Sequence, residues 1–190
     1  MVWLKETIAM LHCYLSMNAT FEIYNLSDDG RIPNSKYPVI VYHRVFSLEG
    51  DQAADFLEKT FAENGWSNAF RWRVYDYHHY HTNTHEVLGV YAGNAVLQIG
   101  GTEGERLDVQ VGDVIVLPAG TGHISLEHST DFAVVGAYPN AAEPDLIKID
   151  DQRPDGVREK VDAVPVPNLD PIFGDHASGV VQSWNERTGR

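Results

Sequence analysis

The run His79-Tyr80-His81-Thr82-Asn83-Thr84-His85-Glu86, with His123 following in Pro118-Ala119-Gly120-Thr121-Gly122-His123, gathers imidazoles and a carboxylate from two segments rich in strand-forming residues. Neutral imidazole and carboxylate are the side chains that bind iron, manganese, nickel, copper or zinc, so the set reads as one divalent transition-metal site per chain. In an extended strand, residues two apart share a face, and His79 and His81 should point the same way. His78 and Tyr80 have the opposite parity and should pack outward against flanking segments. His81 and His85 lie four apart, which would suit zinc on a helix, but the alternation and turn residues around them argue against a helix. His85 is therefore expected to brace a loop. His12, His43, His128 and His176 have no convergent partners and read as surface or packing residues.

The elements that must position these groups are mostly strands. From Phe70 to Tyr138 the pattern predicts strands over Trp72–His81, Glu86–Tyr91, Ala95–Ile99, Leu107–Val111, Val114–Leu117, His123–Glu127 and Ala133–Tyr138, each gap carrying Gly, Asn, Asp or Pro. Many short strands joined by tight turns favour a closed antiparallel sandwich or barrel. Before them, Val39-Ile40-Val41-Tyr42 begins a β-rich run. Asp51 to Asn64 has helical periodicity, with Phe56, Leu57 and Phe61 on its apolar face and Gly65 placed just past its end. Residues 1–18 carry Leu4, Ile8, Leu11 and Leu15 at helical spacing and predict a short packing helix. After Pro139 the chain becomes acidic and proline-rich, with one short helix expected over Gly156 to Asp162. This tail is expected to wrap the barrel, anchored by Ile172, Phe173, Val180, Val181 and Trp184.

Composition narrows the partners. With 190 residues the chain is long enough to bury a core without a metal or disulfide staple, so a bound metal would be functional rather than structural. The 14 Lys and Arg against 27 Asp and Glu give a net charge of −13, which repels nucleic acid and anionic membrane and leaves a small-molecule substrate or another protein as the partner. Cys13 is the single cysteine, and the apolar stretch from Ile8 to Leu15 is too short to span a bilayer. A cytoplasmic location is the expectation.

Two spaced motifs carry a family resemblance: the chain resembles a single-domain cupin. The family's first motif, G-x5-H-x-H-x3-4-E-x6-G, maps onto Arg73, His79, His81, Glu86 and Gly93, departing at its first position. The second, G-x5-P-x-G-x2-H-x3-N, maps onto Gly112, Pro118, Gly120, His123 and Glu127, departing at its last. More loosely, residues 21–184 are similar to a group of small stand-alone cupins, preceded by an extension over 1–20 and followed by a tail over 185–190. The resemblance implies an all-β, double-stranded β-helix (jelly-roll) barrel with a few short flanking helices, an internal metal held by His79, His81, Glu86 and His123, and pairing of barrels into a homodimer. An unpaired strand edge around Val39 to Phe46 would point the same way.

Three neutral donors and a carboxylate leave one or two coordination positions for water, oxygen or substrate. The donor set resembles that of cupin dioxygenases, so an oxygen-dependent reaction on a small organic molecule is the leading expectation. A metal-dependent isomerase, epimerase or lyase and a non-catalytic ligand-binding cupin are the alternatives. By strand position, Tyr75, Tyr77 and Glu127 are the candidates for orienting substrate or moving a proton. Barrel-filling rings compete with that role for the tyrosines, and a solvated strand end for Glu127. Arg73, standing where the family has a turn glycine, should avoid positive φ, and its charge faces an anionic ligand if it reaches the pocket.

Overall fold

The computed structural model describes residues 20–175 and 179–188. The helix expected over residues 1–18, His12, His176 and the side chain of Val181 lie outside the described residues. Strands β1 (Thr20–Tyr24) and β2 (Val39–His43) lead into helix α1 (Gly50–Glu63). They are followed by β3 (Trp66–Trp72), β4 (His79–Tyr80), β5 (Glu86–Ala92), β6 (Asn94–Ile99), β7 (Glu105–Gln110), β8 (Val114–Leu117), β9 (His123–His128), β10 (Ala133–Pro139) and β11 (Ile147–Lys148). Helices α2 (Val157–Asp162) and α3 (Val180–Thr188) close the order. The strands form two sheets, β1-β2-β8-β5-β10-β3 and β11-β4-β9-β6-β7, with antiparallel neighbours throughout. This is the all-β double-stranded β-helix that the motifs imply.

The central strands of the six-stranded sheet are buried on both faces. Its inner face gives Val39, Val41, Leu88, Val90, Ile115 and Leu117 to the barrel interior. Its outer face gives Ile40, Tyr42, Val87, Val114 and Val116 to a second core with Phe56, Leu57 and Phe61 of α1 and with Ile172, Val180 and Trp184. Continuous apolar runs such as Val39-Ile40-Val41-Tyr42 follow from that double burial, although the sheet is antiparallel. In β7 only Leu107 and Val109 are buried, the alternation of a sheet wet on one side.

Two expectations are corrected. A continuous strand over Trp72–His81 does not form: β3 starts earlier, at Trp66, and ends at Trp72, and β4 holds only His79 and Tyr80. Asn68 hides β3 from a period-2 reading, because it takes φ +54 where the β3–β10 register slips between Gly136 and Tyr138. The open edge expected at Val39–Phe46 is also absent, since β2 lies between β1 and β8. The edge belongs to β1.

The tail after Pro139 packs Ile172, Val180 and Trp184 into the outer core and adds β11 beside β4. Its end is clamped by Asp170, a buried carboxylate that accepts from the Tyr42 hydroxyl and from the backbone N–H groups of Ile172 (2.9 Å), Phe173 (2.9 Å) and Val180 (3.1 Å). Asp170→Ala strands these donors, each costing about 1–3 kcal/mol when buried without a partner. The expected loss is about 3 kcal/mol in urea unfolding with an unchanged slope. A loss below about 1 kcal/mol would mean that the clamp does not hold the tail.

Candidate metal centre

Antiparallel pairing builds the site. His79 on β4 is the direct cross-strand partner of His123 on β9, and their rings stand 4.0 Å apart. His81 follows one residue beyond β4, its ring 5.6 Å from His79 and 6.0 Å from His123. One ring nitrogen from each of the three lies within 4.8 Å of the others, and all three are buried. Glu86 opens β5 in the opposite sheet. Its Oε2 sits 3.4 Å from His81 Nε2 and 3.3 Å from His123 Nε2.

The backbone fixes which nitrogen faces inward. His79 Nδ1 contacts the Tyr77 carbonyl (3.2 Å), His123 Nδ1 the Thr121 carbonyl (3.1 Å), and His81 Nδ1 the Asp145 carbonyl. A carbonyl oxygen only accepts, so each Nδ1 carries the hydrogen and each Nε2 keeps its lone pair. Asp145 is held in turn by Thr82 and Lys160. Gly120, at φ +84, donates its N–H to the His81 carbonyl (2.7 Å), tying the first motif to the turn of the second. A side chain there would press on the Asn34 carbonyl and Val161.

Charge follows from this enclosure. Burial, then the neighbouring His123, pushes His79 down to about 2. Burial also works against a charged His81, but the facing Glu86 outweighs it and raises the group. For Glu86 burial acts upward, and His81 and His123 together overcome it and hold the carboxyl below the usual carboxylate range. Glu86 Oε1 accepts from the Tyr138 hydroxyl (3.1 Å), whereas Oε2 is buried with no hydrogen-bond donor. That orphaned oxygen, facing the Nε2 atoms of His81 and His123, fits a divalent cation, and the donor set suits a first-row transition metal.

The four donors share a cavity of about 430 Å³ with Phe70, Trp72, Arg73, Val74, Tyr75, Leu88, Tyr138, Pro144 and Leu146. Of the residues expected to act on substrate, Tyr75 lines this cavity, its ring edge-on to His79 at 5.1 Å. Tyr77 stands behind it, stacked on Tyr75 at 4.8 Å and capped by Lys148 Nζ at 4.4 Å. Glu127 does not reach the cavity. The β6–β9 register slips between Val96 and Leu97, so Leu126 is an extra residue and Glu127 pairs with Val96. The bulge reverses the parity that would have turned Glu127 inward, leaving it exposed beside Asn94 and His128.

His85 does brace a loop. Its Nδ1 accepts from the Ala119 N–H (2.9 Å), its Nε2 contacts the Pro165 carbonyl (3.2 Å), and burial pushes it down to about 4. Tyr80 packs outward with Ile32, Val157 and Val161, and His78 is buried. His43, read as a packing residue, lies 3.5 Å from the Asp113 carboxylate. His128 is exposed. Arg73 avoids positive φ.

Tyr138 was legible but not singled out: counting by twos from the inward Val134 reaches it. Asp145 had no sequence signal, because it acts on His81 through its backbone.

Two antiparallel sheets whose facing strands carry the paired histidine motifs make up the cupin fold, a double-stranded β-helix. The chain belongs to the same family as Uncharacterized protein YjlB of Bacillus subtilis (strain 168), to which it is 37% identical over 159 residues, 83% of this chain and 93% of that protein. No family model matches it. Similar solved structures include salicylate 1,2-dioxygenase from Pseudoaminobacter salicylatoxidans (12% identity, 72% of this chain and 30% of that one, TM-score 0.34). They also include DMSP lyase DddQ from Ruegeria pomeroyi DSS-3 (12% identity, 68% and 50%, TM-score 0.33) and procruciferin, an 11S globulin from Brassica napus (16% identity, 59% and 23%, TM-score 0.35). The chain thus spans half or less of each of these structures, and overlap at such scores carries no argument about chemistry.

His81→Ala is expected to abolish metal uptake in element analysis while circular dichroism shows a folded barrel, because two apolar cores remain. Cooperative unfolding of the variant would instead make the centre structural. Because Glu86 raises His81 above the ordinary imidazole value of about 6.5, His81 stays protonated below that raised value and a cation must displace the proton. Metal affinity therefore rises with pH through and just above the ordinary imidazole range. Calorimetric titration with zinc checks the sign.

Proposed function

We propose that the protein is a mononuclear metal-dependent enzyme acting on a small organic molecule in an oxygen-dependent, dioxygenase-type reaction. The observation that carries this reading is the convergence of three Nε2 lone pairs and the orphaned Glu86 Oε2 on one largely apolar cavity. A divalent ion held there would supply Lewis acidity to substrate and oxygen. The chain supplies the rest. The carbonyls of Tyr77, Thr121 and Asp145 hold the imidazoles, Tyr138 steadies Glu86, and Phe70, Val74, Leu88 and Leu146 give the substrate a water-poor surround.

An isomerase or lyase needs one more part, an ionisable side chain placed to carry a proton. Among the described lining residues beyond the donors, Arg73 carries a guanidinium, a poor proton carrier. The Tyr138 hydroxyl is committed to Glu86, and burial and that carboxylate raise it. This shortage supports oxygen chemistry. Tyr75, at the wall beside His79, is the observation that supports a second reading, a metal-dependent isomerase, epimerase or lyase on a sugar or carbonyl substrate.

Iron-loaded and manganese-loaded protein, offered enols, catechols, flavonols, sugar acids and short dicarboxylates, is expected to consume oxygen and yield a product heavier by the oxygen incorporated. Turnover under argon with mass conserved favours the second reading. Tight binding without turnover favours a non-catalytic binding module.

We also infer a homodimer in the cytoplasm. Among the described residues β1 has a neighbour on one side only, and it exposes Phe21 (51%) and Ile23 (42%). An apolar edge of this kind needs a cover, and a second copy provides one. The single cysteine fits a cytoplasmic setting. No helix among the described residues is long and apolar enough to cross a membrane. Light scattering is expected to report twice the 21.2 kDa chain mass, and a monomer at micromolar concentration would contradict the dimer.

A further inference from the structure

We propose that the cavity selects a small monocarboxylic acid with an apolar body, and that Arg73 holds its carboxylate. The inference rests on the reading of this cavity as the substrate site and names the class of substrate it takes.

Arg73 follows directly on the last residue of β3 and forms part of the cavity wall. Its side chain is exposed and makes no ion pair or hydrogen bond with the described residues. Arg71, two positions earlier, shows the contrast: its guanidinium is occupied by Asp55 (2.5 Å) and Glu58 (2.8 Å), with Asp51 at 3.8 Å. In a chain with 27 acidic and 14 basic residues, a carboxylate partner is easily found, yet Arg73 has none among the described residues. The acid lining the cavity, Glu86, is enclosed by His81, His123 and Tyr138.

The other walls define the body of the ligand. Phe70, Trp72, Val74, Leu88, Pro144 and Leu146 are apolar, and Trp72 is 65% exposed. A sugar would leave most of its hydroxyls without partners against such walls, at a cost the site does not offset. A flat or aliphatic body matches them. A guanidinium presents a planar fork that meets a carboxylate through two parallel hydrogen bonds. It also supplies local attraction for an anion that the net charge of −13 would otherwise repel.

The test is calorimetric titration of the full chain, metal-free and zinc-loaded, with benzoate, 3-phenylpropanoate and hexanoate against their primary amides. Metal content is measured on the same samples. At least one acid is expected to bind, with its amide weaker by roughly tenfold or more, the scale of a charge-assisted pair. Arg73→Gln should bring the acid down to the level of the amide, and Arg73→Lys should retain part of the preference. The side chain is exposed and unbonded, so both variants fold. The proposal is overturned if none of the three acids binds, if acid and amide bind alike in both forms, or if Arg73→Gln keeps the preference. Arg73-dependent acid binding by a chain that takes up no metal would sustain this inference and remove the metal reading. Metal uptake with acid binding indifferent to Arg73 would do the reverse.

Discussion

A carboxylate held out of water is the constraint around which the structure is arranged. Glu86 is buried with one oxygen on Tyr138 and the other facing two imidazole nitrogens, and burial of such a group costs several kcal/mol unless charge is supplied opposite it. The imidazoles can offer lone pairs to a cation beside Glu86 only if their outer nitrogens carry the hydrogens. Three backbone carbonyls, at Tyr77, Thr121 and Asp145, impose that state. The β4–β9 pairing that sets His79 opposite His123 is thus a statement about charge as much as about register.

The tail after Pro139 belongs to the site as much as to the fold. Together with α1 it covers the outer face of the six-stranded sheet and helps keep Ile40, Val114 and Val116 from water. It also brings Pro144 and Leu146 to the cavity wall, the Asp145 carbonyl to His81, and the Pro165 carbonyl to His85. Lys160 on α2 then reaches back to Asp145. Stability of the tail and geometry of the centre are coupled through these few bonds.

The cavity is divided by chemistry. One part holds the titratable donors, screened from solvent and locked by hydrogen bonds. The remainder is aromatic and aliphatic, with the guanidinium of Arg73 among its described lining residues. Tyr75, stacked on Tyr77 and edge-on to His79, joins the two parts, and its position depends on the short link between β3 and β4 in place of one long strand. The Tyr75 ring thereby stands at the cavity wall, half exposed, instead of filling the barrel interior.

The sequence by itself determined the barrel, the helix over Asp51–Asn64, and the convergence of His79, His81, Glu86 and His123. Strand periodicity, turn residues and the spacing of His79, His81, Glu86 and His123 are local properties, and each strand from Glu86 to Pro139 fell within about two residues of its predicted limits, while β11 was not predicted. What only the tertiary structure decided are features set by long-range register. The bulge at Leu126 turned Glu127 outward, the left-handed Asn68 concealed β3, and β1 took the edge that Val39–Phe46 seemed to leave open. Tyr138 and Asp145 entered the site across 52 and 64 residues of chain, one through a hydroxyl and the other through a backbone oxygen that any residue could have provided. Periodicity tells which face a side chain takes within its own strand. Which strand lies opposite, and where one residue too many reverses the count, is decided by packing two sheets against each other.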